Sequence, residues 1–247
     1  MNLNPSYEGQ IALVTGAGRG IGRAVAVALA QSGRLVYVNY LSNKTSAEET
    51  LCMIERSGGR GVLMPFDVSD TEQSEEAVKK IISERERIDV LVNNAGIRDD
   101  MLMVWMKKKN WEKVIDTNLN GFFNVTRLVV KNMLSKRSGR IVNISSAAGQ
   151  TGQAGQVNYS ASKAGLIGAA KALSREIAKR DITVNVVSPG FVETEMLEGL
   201  PLEEIVKMVP AGRIGTPEEV AALVIFLCSA QAGYITGQVI GVNGGIT

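Results

Sequence analysis

The sequence contains no histidine among its 247 residues. This absence excludes Ser-His-Asp triads, Cys-His pairs, imidazole metal ligands and imidazole general bases. If the chain is an enzyme, another side chain must move protons at neutral pH.

Cysteine and long apolar runs are also scarce. Cys52 and Cys228 have no paired spacing, which argues against a disulfide framework or a cysteine zinc site. The longest apolar run, residues 220–228, is far too short to cross a bilayer, and the first nine residues lack the pattern of a signal peptide. We therefore expect a cytoplasmic protein with no membrane association and no metal.

An excess of charge of one sign is missing as well. The chain has 27 Lys and Arg against 25 Asp and Glu, a net charge of +2. A dedicated nucleic-acid binder would show a strong basic excess, so we expect no nucleic-acid partner. One feature of the sequence favours nucleic-acid binding, the short basic run Lys107, Lys108 and Lys109. A solvated helix surface explains this run equally well.

Apolar, β-branched runs alternate along the chain with helical patterns. The predicted strands are 11–15, 35–40, 61–66, 88–93, 140–145, 182–188 and 239–242. The predicted helices are 21–32, 46–57, 72–85, 111–135, 158–179 and 217–229. Continuous apolar strands are typical of parallel sheets covered on both faces.

This alternation predicts the fold class, α/β. We expect a single domain over residues 1–247 with a Rossmann-like, doubly wound parallel sheet of about seven strands and helices on both faces. Thr216 followed by Pro217 is typical of a helix start. Residues 189–214, with three prolines, are a candidate flap over a site.

A glycine-rich turn follows the first predicted strand. Gly16, Gly18, Gly20 and Gly22 lie between that strand and a helix pattern. Glycines let a backbone approach a pyrophosphate closely, and the helix start adds free amides and a positive dipole end. Because strand and helix flank the turn, we favour dinucleotide binding over a plain tight turn.

The end of the second predicted strand indicates which dinucleotide is bound. NAD sites usually carry a carboxylate there, but residues 38–44 contain no acid. Arg19 and Lys44 are available to balance a 2′-phosphate. The sequence therefore favours NADP(H), although both cations are also explained as solvated surface charges.

Tyr159 and Lys163 are candidates for proton transfer. They are four residues apart in a helix pattern and so share a face. A tyrosine pKa of about 10 is too high for work at pH 7, but a nearby ammonium lowers it. Ser146, after a predicted strand, is available to hold a carbonyl oxygen. The alternative is a tyrosine that only packs on the core.

Together these features resemble the classical short-chain dehydrogenase/reductase family over essentially the whole chain. The matching residues are 15–22, 93–96, Asn118, Ser146, Tyr159, Lys163, Pro189 and Gly190. The resemblance implies that Tyr159 transfers the proton, Lys163 lowers its pKa and binds the nicotinamide ribose, and Ser146 orients the carbonyl. Asn118 would hold a water that links Lys163 to solvent.

The resemblance also implies a set of cofactor-binding residues. They are Gly16, Gly18, Arg19, Gly20, Ile21, Gly22, Asn39, Tyr40, Asp67, Val68, Asn94, Ala95, Gly96, Tyr159, Lys163, Pro189, Gly190, Val192 and Thr194. Most of them lie at or just beyond the carboxyl end of a predicted strand, where ligands of parallel α/β sheets bind.

Residues 95–103, 187–196 and 212–220 are similar to a narrower group, the β-ketoacyl-[acyl-carrier-protein] reductases of fatty-acid biosynthesis. That likeness implies NADPH-dependent reduction of a 3-oxoacyl thioester to a 3-hydroxyacyl thioester. Alternatives are an acetoacetyl-CoA, polyketide or small-ketone reductase of the same family, or a non-catalytic cofactor-binding regulator. Residues 107–109 depart from the group, in which this stretch is commonly acidic.

An acyl carrier protein is acidic, so its docking site is expected to be basic. The candidate clusters are Lys136, Arg137 and Arg140, and Arg175, Lys179 and Arg180, which we expect to face one partner across the mouth of the active site. Solvated helix ends are an equally good explanation. The many small residues of 160–172 fit the helix-mediated dimers and tetramers, here a homotetramer, that the resemblance implies. Tight packing onto the chain's own sheet is the alternative explanation.

Overall fold

The computed structural model describes residues 7–197 and 199–247. Seven parallel strands form one sheet in the order β3-β2-β1-β4-β5-β6-β7. The strands are β1 (Ile11–Val14), β2 (Leu35–Tyr40), β3 (Arg60–Pro65), β4 (Val90–Asn93), β5 (Gly139–Ile144), β6 (Ile182–Pro189) and β7 (Val239–Val242). The predicted fold class and seven strands are confirmed.

Nine α-helices connect the strands in the described part of the chain. They are α1 (Gly20–Gln31), α2 (Lys44–Arg56), α3 (Thr71–Arg85), α4 (Lys108–Ile115), α5 (Gly121–Lys136), α6 (Ala148–Thr151), α7 (Val157–Ile177), α8 (Leu202–Met208) and α9 (Pro217–Leu227). None of these helices has both the length and the apolarity that a membrane span needs.

Successive strand residues point to opposite faces of the sheet and so build two cores. Val14 packs in a core with α1 and α9 residues such as Leu29 and Val224. Its neighbour Leu13 packs in the other core with α3 and α5 residues such as Ile81. Burial on both faces explains why the strands read as continuous apolar runs.

The predicted start of the last long helix is confirmed in atomic detail. The hydroxyl oxygen of Thr216 accepts a 3.3 Å hydrogen bond from the Glu219 amide, and the Glu219 carboxylate accepts one of 2.9 Å from the Thr216 amide. This capping box, with Pro217 in the first turn, satisfies amides that the helix cannot bond itself.

Two predicted elements are corrected. The single helix expected at 111–135 is interrupted, because Asp116–Asn120 forms a π-helical turn between α4 and α5. The irregular segment 189–214 contains a short helix, α8, and a 3-10 turn, Glu195–Leu197. Residues 1–6, which bear on the expected lack of a signal peptide, lie outside the described residues.

The basic clusters expected at the mouth of the site lie elsewhere. Arg137 and Arg140 are at the amino end of β5, whereas Ser146 follows its carboxyl end. Arg180 directly precedes β6, and the Arg140 guanidinium donates a 2.9 Å hydrogen bond to the Asp181 carbonyl oxygen. The two clusters are neighbours, but within one chain the length of β5, about 20 Å, separates them from the site edge. The expectation that they face the mouth is therefore wrong for a single chain.

Candidate functional site

A cleft of about 890 Å³ lies along the carboxyl edge of the sheet. Fourteen of the predicted cofactor-binding residues border it: Gly16, Gly18, Arg19, Gly20, Ile21, Gly22, Asn39, Tyr40, Asp67, Val68, Asn94, Ala95, Gly96 and Thr194. They come from five different parts of the chain, which the parallel topology brings to one edge.

The floor of the cleft is the glycine turn. Gly16 and Gly20 have φ values of +62° and +52°, which L side chains rarely adopt. A Cβ at Gly22 would collide with the Gly16 carbonyl oxygen and lie 2.5 Å from the Asn94 amide nitrogen. These positions therefore require glycine for backbone conformation and for close packing.

Buried polar side chains hold this turn in place. The Asn39 side-chain oxygen accepts a 3.0 Å hydrogen bond from the Gly16 amide. The Asn94 side chain donates to the carbonyl oxygens of Thr15 and Gly16, at 2.9 and 3.0 Å. Asn39 and Asn94, predicted as cofactor-binding residues, thus shape the turn as well as border the cleft.

The start of α1 faces the cleft without a side-chain cap. Arg19 occupies the N-cap position, and no side-chain hydrogen bond from it satisfies the first-turn amides. Free amides at the positive end of a helix dipole bind anions such as a pyrophosphate. The glycine turn and these free amides together fit the phosphates of a dinucleotide.

The two cations predicted to favour NADP(H) have different surroundings. Arg19 borders the cleft and forms an ion pair with Glu195, from the segment after β6. Lys44 forms an exposed ion pair with Glu48, at 3.3 Å, and is outside the set of residues that border the cleft. The structure therefore leaves Arg19 as the cation at the cleft wall beside β2.

Gly96 connects the cleft to the predicted catalytic residues. A Cβ placed on Gly96 would lie 3.2 Å from the Lys163 Nζ and 3.3 Å from the Asn118 Oδ1. The Lys163 Nζ is 5.6 Å from the centre of the Tyr159 ring. Ser146 follows β5, in which the Ile144 carbonyl oxygen accepts a 2.8 Å hydrogen bond from the Lys163 Nζ. The predicted catalytic side chains are thus brought close together next to Gly96, although none of the four is in the set of residues that border the cleft.

The pKa values of the tyrosine and the lysine respond to burial. Burial raises the pKa of Tyr159, while the Ser146 hydrogen bond and the Arg98 guanidinium act to lower it. Burial lowers the pKa of Lys163 to about 8, and its ammonium donates a 2.8 Å hydrogen bond to the Ile144 carbonyl oxygen. The pKa-lowering role of Lys163 on Tyr159 stays a prediction.

Asn118 lies in the π-helical turn and is buried. Its Oδ1 accepts a 2.8 Å hydrogen bond from the Ile97 amide, and its Nδ2 donates to the Ile97 carbonyl and the Ser162 hydroxyl. Turns of this kind are frequent at functional sites because they redirect a side chain out of the regular helix. Beside Asn118 is a cavity of about 10 Å³, the size of one water molecule.

Three further residues predicted to bind cofactor are outside the set of described residues that border the cleft. The Pro189 carbonyl accepts a 2.8 Å hydrogen bond from Ala147, and the Gly190 amide donates to Val242 at 3.0 Å. Val192 pairs with Gly215 in an isolated bridge. These contacts organise the end of β6, and a cofactor-binding role for Pro189, Gly190 and Val192 stays a prediction.

Some bordering residues were outside the sequence prediction. They are Leu41, Ser42, Asn43, Ser46, Phe66, Ser69, Ile97, Lys113, Asp116, Thr117, Glu195 and Met196. Leu41 to Asn43 directly follow the predicted Tyr40, so their neighbourhood was a usable signal. The position of Glu195 depends on a contact across 176 residues, for which the sequence offers no local signal.

Comparison with known proteins supports this architecture. Residues 16–247 match the family model described as enoyl-(acyl carrier protein) reductase. The chain is 48% identical over 238 residues to a 3-oxoacyl-[acyl-carrier-protein] reductase of Synechocystis, covering 96% of each protein. It is 46% identical to the FabG 3-oxoacyl-[acyl-carrier-protein] reductase of Thermotoga maritima, over 97% of this chain and 98% of that protein. The Escherichia coli FabG protein is also 46% identical, with 98% of each covered.

Proposed function

Because this chain belongs to the short-chain dehydrogenase/reductase family, we propose that it reduces 3-oxoacyl-[acyl-carrier-protein] to 3-hydroxyacyl-[acyl-carrier-protein] with NADPH, in fatty-acid biosynthesis. The observation that carries the proposal is a dinucleotide-sized cleft whose residue Gly96 lies against Lys163 and Asn118, with the Tyr159 ring 5.6 Å from the Lys163 Nζ. The names of full-length relatives supply the substrate class.

The proposed mechanism assigns proton transfer to the protein. NADPH, when bound, supplies the hydride that adds to the C3 carbonyl carbon. The Tyr159 hydroxyl gives its proton to the carbonyl oxygen, and the Ser146 hydroxyl donates a hydrogen bond to the same oxygen. The carbonyl thereby gains one hydride and one proton, and Tyr159 is left as a phenolate. The Lys163 ammonium then returns a proton to the phenolate and regains one from solvent through a water that Asn118 would hold.

The proposed preference for NADP over NAD rests on charge at the cleft. No carboxylate occupies residues 38–44, and Arg19 lies where it can meet a 2′-phosphate. Ser42 and Asn43 add polar groups to the same wall.

We propose a homotetramer as the assembly and the cytoplasm as the location. Phe123 on α5 is a large apolar side chain with 58% exposure, which is available for contact with a second copy. On α7, Ala164, Gly168 and Ala172 are exposed at four-residue spacing, so another helix can approach closely. Two unpaired cysteines suit a reducing compartment. Light scattering during gel filtration tests the assembly.

One assay separates the candidate reactions. Oxidation of NADPH and of NADH is measured with a carrier-bound 3-oxoacyl substrate, acetoacetyl-CoA, a small ketone and a carrier-bound 2-enoyl substrate. We expect the highest kcat/KM for the carrier-bound 3-oxoacyl substrate with NADPH. A preference for the enoyl substrate, the reaction named in the family description, would overturn the proposal.

Tyr159→Phe is the control for mechanism. It removes the proton donor and leaves the glycine turn untouched, so turnover is lost while NADPH binding persists. Binding without turnover in the unaltered chain would instead support a non-catalytic regulator.

A further inference from the structure

The segment after β4 is clamped beside the catalytic helix. Residue Ile97 exchanges two hydrogen bonds with the Asn118 side chain, at 2.8 and 2.9 Å. Met101 donates a 2.7 Å hydrogen bond to the carbonyl of Gly155, two residues before α7 begins. The residues between these clamps, Arg98 to Asp100, are therefore held close to the first turn of α7, which carries Tyr159.

Within this segment, Arg98 and Asp100 form an ion pair, and only Asp100 has a further hydrogen-bond partner. The Arg98 Nη1 is 3.6 Å from the Asp100 Oδ2. Asp100 also accepts a 3.0 Å hydrogen bond from the Gln156 side chain, which ties it to the start of α7. The Arg98 side chain is only 27% exposed, yet it donates no hydrogen bond to any residue of the described chain. A largely covered guanidinium with uncommitted N–H groups therefore lies on the segment that is clamped beside the first turn of α7.

Three charged groups lie on the elements around Tyr159. Arg98 and Asp100 lie on the segment after β4, and they act on the pKa of Tyr159 in opposite directions. Lys163 lies on α7 with its Nζ 5.6 Å from the centre of the Tyr159 ring, and its ammonium is directed to the carbonyl of Ile144. A phenolate is stabilised by a nearby positive charge and destabilised by a negative one. The ease with which the phenol loses its proton thus depends on a charged pair outside the four predicted catalytic residues.

We propose that Arg98 and Asp100 are positioning residues of opposite sign that together set how readily Tyr159 releases and regains its proton. Arg98 favours the phenolate that remains after proton donation, and Asp100, held by Gln156, opposes part of the Arg98 charge. The inference rests on the proposed function, because it gives Tyr159 the role of proton donor.

The test is the pH dependence of Arg98→Gln and Asp100→Asn. The first readout is the pH profile of kcat for oxidation of a 3-hydroxybutyryl thioester by NADP⁺, which requires the phenolate. The second is an ultraviolet difference titration of the phenol, with the Tyr159→Phe protein as the baseline. Arg98→Gln is expected to move both profiles to higher pH, and Asp100→Asn to lower pH, each by about half a pH unit.

Two variants control for charge and for fold. Arg98→Lys keeps the positive charge and is expected to retain most of the parental profile. Lys109→Gln removes one positive charge from an exposed position on α4 and is expected to leave the profile unchanged. NADPH binding, followed by fluorescence, reports whether each variant is folded.

Opposite shifts of the two variants' pH profiles support the proposal. If the pair had only a structural role, removal of either partner would change the profile in the same direction. Shifts of the same sign, or no shift, would overturn it. If Arg98→Gln does not fold, the downward shift of Asp100→Asn decides alone. Failure of the proposed function is distinct, since Tyr159→Phe would then retain turnover.

Discussion

Arg19 and Glu195 form an ion pair that joins the glycine turn to the segment after β6. The two residues are 176 positions apart in sequence, and their side chains are 63% and 51% exposed. The pair lies at the cleft, so Glu195 competes with an anionic ligand for the Arg19 guanidinium.

We predict that the pair controls discrimination between NADPH and NADH. Arg19→Ala removes the cation and should weaken NADPH binding about tenfold, with little effect on NADH, since tenfold corresponds to roughly 1.4 kcal/mol. Glu195→Gln releases Arg19 and should tighten NADPH binding. Fluorescence titration of both nucleotides measures the dissociation constants. An equal loss for the two nucleotides after Arg19→Ala would contradict a role at the 2′-phosphate.

Lys163 is predicted to reduce the stability of the folded chain. Burial lowers its pKa from 10.5 to about 8, so the folded state disfavours the ammonium that the unfolded chain carries. Below pH 8 Lys163 is charged in both the folded and the unfolded chain, and the folded state carries the full free-energy cost of burying the ammonium. Between pH 8 and 10.5 the folded chain binds fewer protons than the unfolded chain, so its stability rises with pH and the cost disappears.

Lys163→Met should therefore stabilise the nucleotide-free protein at pH 7 by about 1–2 kcal/mol while abolishing turnover. This figure allows for loss of the hydrogen bond to Ile144. Urea unfolding at pH 7 and pH 10 measures the effect, and the advantage should shrink at the higher pH. A variant less stable than the parent at pH 7 would show that interactions in the folded state fully offset the cost of burying the Lys163 ammonium.

Gly22 lies in α1 and Gly168 in α7. We predict opposite effects when each of these glycines is replaced by alanine. A Cβ at Gly22 would meet the Gly16 carbonyl and the Asn94 side chain, so Gly22→Ala should disrupt the turn and abolish nucleotide binding. A Cβ at Gly168 meets no atom of the described residues within 4 Å. Gly168→Ala should therefore raise the free energy of unfolding by about 0.5–1 kcal/mol through helix propensity.

Thermal unfolding and NADPH titration of both variants check this pair. Loss of binding in Gly168→Ala would mean that this position serves the site through an assembly contact, and retained binding in Gly22→Ala would refute the steric role of the turn.

The basic clusters at the amino edge of the sheet give a prediction about carrier docking. Arg137→Glu with Arg180→Glu should raise KM for the carrier-bound substrate about tenfold, the effect of losing roughly 1.4 kcal/mol of complementary charge. KM for a small thioester should not change. Because the length of β5 separates these cations from the site of the same chain, such an effect requires that a second copy bring them to its neighbour's site. Equal effects on both substrates would refute docking at the clusters.

The strands and the glycine turn were predictable because their signals are local. A strand buried on both faces is apolar at most of its positions, and the glycines that approach a phosphate lie within a few residues of one another in sequence. The interrupted helix was not predictable, because residues 111–135 keep a helical apolar pattern through the π turn. Within that turn Asn118 bonds to Ile97, a contact that exists only after β4 is in the sheet.

The sequence alone thus determined the parallel α/β fold, the glycine turn and which side chains are candidates for proton transfer, because spacing and residue type carry this information. Only the tertiary structure decided the direction of the Lys163 ammonium, the Arg19–Glu195 pair, the location of the basic clusters and the Arg98–Asp100 pair beside the start of α7. These depend on distances between residues far apart in the chain, which packing around the sheet sets and no local pattern records.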